Sequence, residues 1–137
     1  MKHNKYIYGV IEVLILSVAY LLAYTIFSNE YLFGWITHNW KFYLILSIIP
    51  LLLLFFKKQL VSVFMSTGIV IGLFIGNYLG DLIIKLNMAK VVGGMTNQEM
   101  ARLHHDPGFS IWIVIILLSI IIGVIVQTII SKRRANT

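Results

Sequence analysis

Four long apolar stretches organise the 137-residue chain: residues 6–27, 40–56, 60–86 and 109–130. A hydrocarbon core about 30 Å thick is crossed by roughly 20 residues of helix. Helix is also the conformation that satisfies an isolated segment's backbone in lipid. The pattern therefore predicts four membrane-spanning helices. The first carries one acid, Glu12, and the fourth, residues 109–130, has no charge. The second is short and contains Pro50, which removes a backbone donor and predicts a kink. The third is long enough to tilt. Only Lys57, Lys58 and Gln59 separate the second from the third, so these two form an antiparallel hairpin.

The longest polar segment, residues 87–108, has an interior of its own. Thr96 and Glu99 have the spacing of a capping box, in which each side chain satisfies a backbone donor at a helix start. Met95 and Met100 stand where a hydrophobic staple requires them. A short external helix is predicted over residues 97–105, preceded by the Gly93-Gly94 turn and ended by Asp106, Pro107 and Gly108. Residues 29–39, with Tyr31, Phe33 and Trp35, are expected to lie as a loop in the membrane interface. The expected fold is all-α: one integral-membrane four-helix bundle covering residues 1–137, with the external helix between spans three and four.

Composition supports lipid as the solvent. The chain is 59% hydrophobic and 12% charged, against about half and a quarter for soluble domains. The net charge of +6 would suggest nucleic acid in a soluble protein, but here the cations flank apolar runs and no basic stripe forms. Lys2, Lys5, Lys57, Lys58, Lys132, Arg133 and Arg134 fall on one side of the four-span topology. Lys41, Lys85, Lys90 and Arg102 fall on the other, offset by Glu30, Asp81, Glu99 and Asp106. The positive-inside rule then places both termini in the cytoplasm, with the plasma membrane as the expected location. The apolar run at the N-terminus is longer than a signal peptide's, and no small-x-small cleavage site follows it, so an uncleaved span is expected. Tyr6 and Tyr8 at the inner edge, and Trp40, Tyr43 and Trp112 at the outer edges, read as interface anchors. With no cysteine, disulfides and thiolate metal sites are excluded.

The sharpest motif is Gly68, Gly72, Gly76 and Gly80, a strict four-residue repeat along one face of the third span. Glycine is unfavourable inside a helix unless another backbone must approach closely. Two readings stay open. Within the chain, Ala19 and Ala23 of span one or Ser119 and Gly123 of span four offer small-residue partners. Between chains, the row would pack a homo-oligomer or a larger membrane protein.

Ionisable and polar residues inside spans are candidate functional groups. Glu12 is expected to meet Lys57, Lys58 or Gln127; Asn77 and Asp81 lie beside the last glycine, with Asp81 spaced to pair with Lys85 or to reach Arg102. His104, His105 and Asp106 invite a metal reading, but adjacent helical residues diverge by about 100°, so no metal or cofactor is assigned. No catalytic residue is assigned either: there is no phosphate-binding loop, nucleophile elbow or dinucleotide fingerprint. The expected function is that of an accessory, interaction or regulatory membrane protein working through the glycine face, in contact with lipid and a protein partner. An oligomeric channel or transporter is the alternative, using Glu12, Asn77 and Asp81. An outer-face enzyme built on the histidines is a third.

Overall fold

The structure, a computed structural model, describes residues 2–136, with side chains from Tyr6 onward. It is all-helical: α1 (Lys2–Thr25), α2 (Tyr31–His38), α3 (Trp40–Phe55), α4 (Gln59–Met88), α5 (Asn97–His104) and α6 (Gly108–Ala135). Three helices, α1, α4 and α6, are each long and apolar enough to cross a membrane. The fourth candidate is the α2–α3 pair, bent by 90° at its break. At 16 residues, α3 spans about 24 Å by itself, less than a full hydrocarbon core.

α4 is the hub. It packs against α1, α2, α3, α5 and α6, whereas α1 and α6 do not pack on one another among the described residues. The helices are therefore organised around α4. Outward-facing Leu, Ile and Val side chains on α1, α3 and α6 remain exposed in the chain itself. Surface of that extent is covered only by lipid or by other membrane helices.

The tightest seam joins α4 to α6, and the glycine row makes it. A methyl group at Gly72 would meet the Trp112 ring at 2.9 Å, and one at Gly76 the Gly108 carbonyl oxygen at 2.8 Å. At Gly68 it would collide with Ser119, and at Gly80 with Asp106. At Gly123 of α6, in turn, a methyl would lie 3.0 Å from the Val61 Cα. The row's main partner is thus α6 of the same chain. Gln127 of α6 locks the end of the seam nearest the α3–α4 turn, its Oε1 accepting from the otherwise orphaned Leu60 N–H at 3.0 Å.

The turn between α3 and α4 closes by helix-end hydrogen bonds. Lys58 N–H donates to the Leu53 carbonyl at 2.9 Å and Lys57 N–H to that of Leu54 at 3.2 Å. This is a Schellman ending, with Lys57 in the left-handed region at φ 59° where glycine is usual.

Residues 29–39 depart from expectation. Residues 31–38 form a helix, α2, with Leu32 and Ile36 fully buried and Phe33 2% exposed. Gly34 serves close approach: a methyl there would lie 2.9 Å from the Ser28 carbonyl oxygen. Phe33 stacks on Phe27, and both meet Phe74 edge-on, which fastens α2 to the turn after α1 and to α4. Tyr43 and Trp112 are core residues rather than interface anchors, at 5% and 0% exposure. Trp112 joins Trp35, Phe42 and Phe109 in a second ring cluster.

α5 starts as its sequence predicts. Glu99 N–H donates to Thr96 Oγ1 at 3.2 Å, and Thr96 N–H to Glu99 Oε2 at 2.9 Å. It buries no residue, because both bonds are local and need no tertiary support.

Candidate functional site

The α4 helix carries its polar chemistry at two levels, on faces its glycines leave free. At 100° per residue, Ser62 and Ser66 point about 120–160° away from Gly68, towards α1 and α3. There the Ser62 hydroxyl lies 2.7 and 2.8 Å from the two carboxyl oxygens of Glu12 and 2.6 Å from the Pro50 carbonyl oxygen. Glu12 is only 3% exposed and Ser62 fully buried. Glu12 thus meets a serine and a backbone carbonyl, not the expected Lys57, Lys58 or Gln127. Both lysines are exposed at the turn, and Gln127 is taken by Leu60 N–H. Pro50 is buried within a continuous α3, and its contribution is this shared carbonyl. Ser66 completes the group. Its hydroxyl is buried close to the Glu12 carboxyl but makes no hydrogen bond of normal geometry.

The second level lies about 22 Å along α4, fifteen residues on at Asn77. Asn77 Oδ1 accepts from Leu32 N–H at 3.1 Å, and its Nδ2 donates to Glu30 Oε2 at 2.9 Å. It therefore satisfies a backbone donor in the first turn of α2 and holds the helix's N-cap residue. Asp81 makes no ion pair with Lys85 or Arg102 among the described residues. It stands near Asp106 instead, close enough for the two charges to interact. Asp106 Oδ1 accepts from Gly108 N–H at 2.7 Å and covers Gly80. Burial pushes the Asp106 carboxyl above its usual range; the Gly108 bond opposes this, Asp81 reinforces it and His105 opposes it.

The histidines do not converge. His104 Nδ1 lies 2.7 Å from the Met100 carbonyl oxygen of its own helix, and His105 is exposed beyond the helix end. Among the described residues no three of His, Cys, Asp and Glu come together as metal ligands. The structure therefore joins Asp81 with Asp106, ties Asn77 to α2, and keeps Glu12 apart at the other end.

Ser62, Ser66 and Glu30 were not among the sequence candidates. A serine in a membrane helix ordinarily bonds the carbonyl four residues back. Nothing in the sequence separates one that does so from one that reaches another helix. The Ser62-x3-Ser66 spacing, one face of one helix, was the available signal.

α1 and α3 part to leave a groove of about 470 Å³ between them. Leu16, Ser17, Tyr20, Trp40, Tyr43 and Ser47 line it. At its floor the Tyr43 hydroxyl donates to the Leu16 carbonyl at 2.7 Å, which ties the two helices together. No family model matches the chain, and no curated protein or solved structure is significantly similar to it.

Proposed function

We propose that this chain is a four-span plasma-membrane protein with both termini in the cytoplasm, an accessory or regulatory subunit that binds a larger membrane protein and performs no catalysis of its own. The observation that carries the reading is the groove between α1 and α3. The α4–α6 seam is closed along its length by glycines, but α1 leans on α3 and α4 only sparsely. The resulting cleft has an apolar lining with two serines, Ser17 and Ser47. Small residues of this kind let a further membrane helix approach closely. The outer face of α6, by contrast, is a uniform Leu, Ile and Val surface suited to lipid.

Photocrosslinking in native membranes tests the reading. Probes at Leu21 and Leu44, which line the groove, are expected to give one discrete protein adduct. Probes at Ile121 and Ile125 on α6 are expected to give lipid adducts. Lipid adducts at all four positions would overturn the proposal. The topology is tested separately by single cysteines in this cysteine-free chain. Gly93→Cys is expected to react with an impermeant reagent from outside intact cells and Lys58→Cys only after permeabilisation; the reverse pattern would overturn the orientation.

A further inference from the structure

We propose that Glu12, Ser62, Ser66 and the Pro50 carbonyl form a binding site for one monovalent cation, a proton or a sodium ion. The first ground is proton bookkeeping. Three close oxygen–oxygen contacts meet at Ser62 Oγ, at 2.6, 2.7 and 2.8 Å. Ser62 supplies one proton, and a carbonyl supplies none. If the hydroxyl donates to Pro50, its approach to Glu12 brings lone pairs together; if it donates to Glu12, its approach to Pro50 does. One further positive charge removes the conflict. A proton on Glu12 would donate to Ser62 and let Ser62 donate to Pro50. A sodium ion would draw the same oxygens around itself as hard ligands.

The second ground is Ser66. Thr25, Ser47, Thr67, Ser119 and Thr128 each donate to the carbonyl four residues back on their own helix. Ser66 has the same option and does not take it. Its hydroxyl is buried within reach of the Glu12 carboxyl but in no hydrogen bond of normal geometry, in a residue 2% exposed. A buried hydroxyl without a bond is destabilising, so its position is explained if it serves as a further oxygen ligand or accepts from the bound species.

The third ground is charge. Glu12 faces no charged side chain on any element packed against it whose side chains are described. α4 presents Ser62 and Ser66, α3 presents the Pro50 carbonyl, and Tyr8, one turn back on α1, is 38% exposed. A carboxylate alone in such a place is strongly disfavoured. One positive charge neutralises the group, whereas a divalent ion would leave an excess. The inference does not rest on the partner-binding reading above.

Infrared spectroscopy of the full chain, labelled with ¹³C-carboxyl glutamate in lipid nanodiscs, tests it. In choline buffer at neutral pH, a protonated-carboxyl stretch is expected that disappears in Glu12→Gln. Persistence of that band when sodium is added identifies the proton as the ligand. Its replacement by carboxylate bands, with release of a proton, identifies sodium, and Ser66→Ala is then expected to weaken the replacement. Carboxylate bands alone in choline at neutral pH would overturn the proposal. Should Glu12→Gln fail to fold, Glu30→Gln and Glu99→Gln assign the band by elimination, because the chain has three glutamates.

Discussion

Trp112 of α6 donates its indole N–H to the Ile69 carbonyl of α4 at 3.0 Å, with its ring against Gly72. The bond crosses the seam beside Gly72, so the glycine row and the tryptophan act as one unit. A bulky ring is accommodated there because the opposite helix has no side chain at that level.

A methyl group at Gly76 would press on the Gly108 backbone carbonyl at 2.8 Å, which cannot rotate away. Gly76→Ala is expected to destabilise the protein by about 1–3 kcal/mol, the usual range for overpacking. Nothing lies within 4 Å of a methyl at Gly93, so Gly93→Ala is expected to be near neutral. Thermal unfolding in one detergent compares the two. Equal effects would contradict the close-approach role of the row.

Asn77→Ala removes the acceptor for Leu32 N–H and the donor to Glu30 together. A buried amide left without a partner costs about 1–3 kcal/mol. The expected effect is local: faster hydrogen exchange at the start of α2, with the α4–α6 seam still protected. Unchanged exchange at Leu32 would show that Asn77 does not hold α2.

Asp106 gives the corner between α5 and α6 a pH dependence. Its carboxyl is raised above its usual range, chiefly by burial, so the folded protein retains a proton that the unfolded chain has already lost. The contribution is fully present below the unfolded pKa and is lost as pH rises through the folded one. Melting temperature is therefore expected to fall as pH rises through and just above the usual carboxylate range. Asp106→Asn keeps an oxygen for Gly108 N–H and is expected to flatten that slope.

Lys57 adopts φ 59° at the end of α3, a conformation that is unfavourable for a side chain with Cβ. Lys57→Gly is expected to stabilise the hairpin by up to about 1 kcal/mol, read as a higher melting temperature. A lower one would mean that the lysine makes a compensating contact.

The sequence by itself determined what depends on near neighbours along the chain. Apolar length produced the long helices α1, α4 and α6. The Thr96–Glu99 spacing produced the start of α5, because both of its bonds close within four residues. The short Lys57–Lys58 turn produced the α3–α4 hairpin. Tertiary structure alone decided which faces meet. The glycine row fitted Ala19 and Ala23, Ser119 and Gly123, or another chain equally well as a pattern, and packing selected α6. Glu12 had lysines and a glutamine as candidates by depth, and helix rotation selected Ser62. Residues 31–38 read as an interfacial loop until burial against α1 and α4 made them a helix. The common reason is the solvent. In water, alternation of polar and apolar residues marks the face that packs. In lipid both faces are apolar, so the packing face is set by shape and by where the few polar groups find partners.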